Sequence, residues 1–193
     1  MQAARGTSLN SSETTTPPSA RRPSPARLIG LVAGIALTAY VVDVGTKVLA
    51  VARLEPGASY PLVGDLLQLH LTRNPGAAFS TGTEYTVALT CIAITALLVV
   101  LYLSRRLGSV VWAIAFGLLL AGIAGNLTDR LFRSPGVLRG HVIDFLMLPN
   151  WPIFNVADIC INAAAVLILV QAFRGVRLDG TRTTSDETPE GDA

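Results

Sequence analysis

Four long apolar runs dominate the chain, over about residues 28–52, 85–104, 109–127 and 154–173. Each is close to the ~20 residues an α-helix needs to cross a ~30 Å hydrocarbon layer. Runs of this length predict transmembrane helices. The first is too long for the apolar segment of a cleaved signal peptide, and no small-x-small site follows it. It also continues through Asp43 and Lys47. Between the first two runs the period changes. Residues 67–73 alternate apolar and polar, as a half-buried strand does. Pro56-Gly57 and Asn74-Pro75-Gly76 mark turns on either side. The expected fold is an all-α membrane protein of four transmembrane helices, with a small extracytoplasmic β-sheet on the outer membrane surface.

Composition points the same way. Hydrophobic residues make up 51% of the 193 and charged residues 15%, against about 25% charged in a soluble domain. The net charge of +2 matters less than its placement. Arg21, Arg22 and Arg27 precede the first run, Arg105 and Arg106 separate the second and third, and Arg174, Arg177 and Arg182 follow the fourth. An even number of spans puts both termini on one side, and the positive-inside rule makes that side the cytoplasm. The loops 53–84 and 128–153 then face outward. Residues 1–27, rich in Ser, Thr, Pro and Arg, are expected to form a disordered cytoplasmic tail. Residues 28–174 form the membrane domain and 175–193 a second disordered tail. No basic face with interleaved aromatics appears, so no nucleic-acid partner is expected. Cys91 and Cys160 lie in apolar runs without metal spacing and read as small buried residues.

Ionisable and amide groups at the rim of an apolar helix are expensive and persist when they pair or line a wet cavity. Asp43 and Lys47, at i and i+4, share a helix face. They serve equally as a self-neutralising ion pair or as a polar pillar beneath a site. Asn74, Gly76 and Phe79 fall in a turn able to hold an extended peptide, or in an ordinary turn. Asn126, Asp129 and Arg130 cluster at the outer end of the third run, where an Asp129–Arg130 pair is expected, and Gly122 and Gly125 permit close helix packing. Asp144 and Asp158 are carboxylates without a basic neighbour. Two carboxylates in a partly dry site share a proton, so that one acts as acid and the other as base. That chemistry can activate water against an amide, if a loop returns Asp144 to the mouth of the fourth helix. His70 and His141 suggest no zinc site, and no H-E-x-x-H or G-x-S-x-G occurs.

These pieces resemble lipoprotein signal peptidase, also called signal peptidase II. They are D-x-x-T-K at 43–47, N-x-G-x-A-F at 74–79, G-N-x-x-D-R at 125–130, V-x-D-F at 142–145 and F-N-x-A-D at 154–158. The resemblance covers about residues 28–174. It implies an aspartic endopeptidase of the bacterial cytoplasmic membrane, with Asp144 and Asp158 catalytic. Asp43, Lys47, Asn74, Gly76, Asn126, Asp129, Arg130 and Asn155 would line or support the site. It implies substrates that are diacylglyceryl-modified prolipoproteins, cut before the lipidated cysteine at the outer membrane face. It implies no metal and no organic cofactor. Membrane lipids are the other expected partners, and the chain is expected to act as a monomer. Apolar residues around Phe145, Leu146, Trp151 and Phe154 would receive the acyl chains, and Asn74 and Phe79 would clamp the peptide. The chain departs from the pattern at Val44, where Gln is common, in a long stretch between Arg130 and Asp144, and in a short one between Asp144 and Asp158. A small transporter remains an alternative on the intramembrane charges, although no inverted repeat is evident. A membrane scaffold is another.

Overall fold

The computed structural model describes residues 23–76 and 85–182. Four helices are long and apolar enough to cross a membrane: α1 (Pro25–Arg53), α2 (Thr86–Leu103), α3 (Val110–Phe132) and α4 (Val156–Phe173). The apolar runs fix their number, and the ends differ in two places. α1 starts at Pro25, inside the expected tail, because Pro in the first turn suits a helix start. α3 continues past Leu127 to Phe132, so Asp129 and Arg130 are helical rather than part of the outer loop.

α3 is the hub. In its most apolar window 56% of residues are buried, against 17–22% in the other three. Leu28 and Val32 of α1, Val100 of α2 and Trp112, Phe116 and Leu120 of α3 form an apolar core away from the polar end. Small residues allow the close approaches near the other end. A Cβ on Gly122 would lie 2.5 Å from the Ala157 carbonyl oxygen of α4, and one on Gly125 would collide with the Asp43 carboxylate of α1. Outward faces carry residues such as Leu37, Ile92, Leu98 and Val166. Their exposure suits a surface solvated by lipid.

The sheet is antiparallel, in the order β1-β2-β3, with β1 (Ser59–Val63), β2 (Leu67–Asn74) and β3 (Val142–Met147). The alternation over residues 67–73 marked β2. β3 comes from the second loop and was not signalled, because its first four residues are all buried and so do not alternate. Leu71, Ile143 and Phe145 pack with Ala50 into a second core that seats the sheet on α1. A short return then pairs Leu146 with Phe154 and delivers the chain to α4.

Past α4, residues 175–182 fold back instead of leaving the bundle. Gly108 donates to the Leu178 carbonyl, and the Trp112 indole donates to the Val176 carbonyl. The rest of both expected tails (1–22 and 183–193), and Phe79 with its neighbours, lie outside the described residues. Cys160 is buried as expected. Cys91 is exposed on α2, and both thiols are free.

Candidate active site

Asp144 and Asp158 face one cavity of about 340 Å³, at the end of the bundle that carries the sheet. Asp144 comes from β3. Its strand partner is Thr72, which puts Asn74 diagonally across on the same face, within side-chain reach. Asn74 Nδ2 donates to Asp144 Oδ2 at 3.0 Å, and Asn155 Nδ2 donates to Oδ1 at 2.6 Å. Asp158 sits in the first turn of α4. Its Oδ2 accepts from the Asn155 backbone N–H at 3.1 Å, while Asn155 Oδ1 accepts from the Asp158 N–H at 3.0 Å. This is a reciprocal capping box. Asn126 Nδ2 donates to Asp158 Oδ1 at 2.9 Å.

The two carboxylates are unlike. Asp144 is 2% exposed and Asp158 half-buried. Burial, and then the charge of Asp158, pushes the Asp144 carboxyl up to about 6 from 3.8, against the hydrogen bonds from Asn74 and Asn155. Asp158 instead receives the Asn155 backbone N–H and the Asn126 amide at the N-terminus of α4.

A buried network supports them. Lys47, fully buried, reaches Asp43 Oδ2 at 2.8 Å, Asp129 Oδ2 at 2.9 Å and Asn126 Oδ1 at 2.9 Å. An ammonium only donates. It therefore holds Asn126 Oδ1 toward itself and leaves Asn126 Nδ2 for Asp158. Asp43 Oδ1 accepts from the Ala157 N–H at 2.8 Å, tying α1 to α4. Asp129 Oδ2 accepts from the Ile143 N–H at 3.2 Å, which anchors β3. The expected Asp129–Arg130 pair does not form. Consecutive helical residues point about 100° apart, so Asp129 pairs with Lys47 and with Arg133 one turn on. Arg130 turns to the cavity, 3.5 and 3.4 Å from the carbonyl oxygens of Pro75 and Gly76.

A family model described as signal peptidase (SPase) II matches residues 35–174. The chain belongs to the signal peptidase II family. Two relatives named lipoprotein signal peptidase agree. The one from Rhodococcus jostii is 47% identical over 155 residues, covering 80% of this chain and 77% of the relative. The one from Mycobacterium avium is 45% identical over 166 residues, covering 85% and 91%. A solved structure described as a bacterial membrane enzyme has a TM-score of 0.67 and 27% identity, covering 76% of this chain and 94% of that one. Another, at 24% identity, shares the fold with a TM-score of 0.70, covering 86% and 95%. Membership makes the chain a protease, and its four spans make it a multi-pass membrane protein.

Within this family member, Asn74, Gly76, Asn126, Arg130, Asp144 and Asp158 line the cavity. Asp43, Lys47, Asp129 and Asn155 lie buried behind them. All ten residues singled out in the sequence therefore converge. Sequence reasoning missed Ile153, Ile161 and Asn162, which also line the cavity. The last two could have been read from α4 periodicity, one turn beyond Ala157 and Asp158. The expected apolar set divides. Trp151 and Phe154 line the cavity, whereas Phe145 is buried under the sheet, because its side chain points to the face of β3 opposite Asp144. His70 meets Ser59 across β1 and β2 on the surface, at 2.9 Å. Among the described residues, no group of three or more His, Cys, Asp or Glu could hold a metal ion.

Proposed function

We propose that this protease is an aspartic endopeptidase that removes the signal peptide from diacylglyceryl-modified prolipoproteins, cutting before the lipidated cysteine. The observation that carries the reading is the shared cavity of Asp144 and Asp158, with its unlike hydrogen bonding. In the working state the pair holds one proton, on Asp144. Asp158 takes a proton from a water whose oxygen attacks the scissile carbonyl carbon, while Asp144 gives its proton to the carbonyl oxygen. Asp158 then passes its proton to the amide nitrogen, the C–N bond breaks, and a hydroxyl proton of the tetrahedral carbon returns to Asp144. The products are a carboxylic acid and an amine, and the dyad is restored. Arg130 holds the Asn74–Gly76 turn that closes the cavity on one side. The core of the opposite half is apolar, which disfavours an ion path.

The cavity opens at a helix rim, so its substrate must be held there. Two acyl chains supply about 0.8 kcal/mol per buried CH₂. Trp151, Ile153 and Phe154 offer the adjoining apolar wall. On this reading the site lies at the outer face of a bacterial cytoplasmic membrane, with both termini in the cytoplasm. Purified protein in micelles is expected to cut lipidated precursor far faster than the same precursor with an unmodified cysteine. Asp144→Asn and Asp158→Asn should abolish turnover while remaining folded. Equal rates on the two precursors would remove the substrate assignment, and normal turnover in either variant would remove the dyad.

A further inference from the structure

Asn162 is a polar residue in the wrong place for a membrane helix unless it binds something. It lies inside α4 among Ile159, Cys160, Ile161 and three alanines, and its side chain is exposed rather than packed against a neighbouring helix. Where an amide is surrounded by apolar groups it loses the hydrogen bonds it makes in water. One N–H is answered locally, since Asn162 Nδ2 donates to the Asp158 carbonyl oxygen at 2.8 Å. Its other N–H and its Oδ1 have no protein partner among the described residues. The same bond draws the amide up beside Asp158, and Asn162 lines the cavity that both aspartates face.

We propose that Asn162 forms a binding subsite for the ester groups of the substrate's glycerolipid, its free N–H donating to an ester carbonyl oxygen. The inference rests on the lipidated substrate assigned above. Four residues of helix put Asn162 about 6 Å along the axis from Asp158, on the lipid side of the dyad. A peptide whose scissile bond meets Asp158 carries its modified cysteine at the next position. A thioether and the glyceryl carbons then reach about as far toward the hydrocarbon as one helical turn. Ester carbonyls are acceptors only, and an apolar surround strengthens a hydrogen bond to them. The apolar neighbours Ile153 and Ile161 would take the start of a chain, and Asn162 would mark where the chain joins glycerol. Asn162 acts in binding, since its contact is remote from the bonds that change.

The test compares wild type with Asn162→Leu and Asn162→Gln on two lipidated precursors, one with diacyl ester and one with dialkyl ether chains. With the ester substrate, Asn162→Leu is expected to raise KM about five- to tenfold, the worth of one hydrogen bond, with kcat nearly unchanged. Asn162→Gln should recover part of the loss. With the ether substrate, wild type should already show the raised KM and Asn162→Leu should add nothing. Equal KM values for wild type and Asn162→Leu on the ester substrate, or losses that simply add, would overturn the subsite. Thermal unfolding separates these effects from misfolding, since replacing a lipid-facing amide by Leu should leave the midpoint unchanged or higher. Failure of wild type to cut any lipidated precursor would instead overturn the substrate reading itself.

Discussion

Replacing Lys47 by Met is expected to destabilise the fold by about 3–5 kcal/mol, the usual result of removing one partner from a buried ion pair. Its ammonium lies 2.8–2.9 Å from oxygens of Asp43, Asp129 and Asn126. After the change Asp129 keeps Arg133 and the Ile143 N–H. Asp43 keeps only the Ala157 N–H on Oδ1 and has no cation. The loss is therefore assigned to a stranded Asp43 charge, and Lys47→Met/Asp43→Asn should regain at least half of it. Turnover should behave differently. Without the ammonium, only the longer bond from Asn155 Nδ2, at 3.2 Å, holds Asn126 Oδ1 away from Asp158, so the double variant should regain stability while regaining little of kcat. Equilibrium unfolding in mixed micelles reads the first quantity, and initial rates on lipidated precursor read the second. A single variant within about 1 kcal/mol of wild type, or a double variant no more stable than the single, would refute the reasoning.

Gly125→Ala would drive a methyl into the Asp43 carboxylate, with Asp43 Cγ 3.0 Å away. A loss of about 1–3 kcal/mol is expected, and an unchanged unfolding midpoint would show that α1 yields freely. Asp144, raised from 3.8 to about 6, contributes stability fully below 3.8 and loses it as the pH rises through about 6. Relative to Asp144→Asn, wild type should therefore lose stability across that window, and parallel stability profiles would exclude Asp144 as the source. If the proton on Asp144 is needed, kcat/KM should fall over the same range. For orientation, single cysteines at Ser11 and Thr188, in a chain lacking Cys91 and Cys160, should resist impermeant reagents in intact cells. Labelling from outside at either position would reverse the assigned topology.

Much of this site is legible in sequence because a charge inside an apolar run is anomalous by itself. Asp43, Lys47 and Asp158 stand out for that reason, and the ordered motifs collect Asn74, Asn126, Asp144 and Asn155. What sequence hides is direction. Asp129 and Arg130 are adjacent in the chain and part company in space, since a helix sends them to different neighbours. β3 is hidden because a strand buried on both faces has no period-2 signature. Asn162 sits one turn beyond Asp158, so periodicity could place it beside the site, but an amide in an apolar run also reads as helix packing until its exposure is known.

The charges around the site explain why amides, not cations, touch the two carboxylates proposed as catalytic. Lys47 and Arg133 offset Asp43 and Asp129. What remains is Arg130, in the field of Asp144 and Asp158. Two carboxylates against one cation leave the site one negative charge from neutrality. In a low-dielectric rim the neutral state is favoured, and it is reached by binding one proton, the number that an acid–base pair requires. A second cation in direct contact with Asp144 would remove that need and hold both carboxylates ionised. Asn74 and Asn155 orient Asp144 without doing so, because a neutral amide stabilises an anion far less than an ammonium does. Lys47 is kept one amide away from Asp158, close enough to orient Asn126 and too indirect to form an ion pair with that carboxylate. The asparagines thus separate two tasks that a cation would merge, holding a carboxylate in place and fixing its charge.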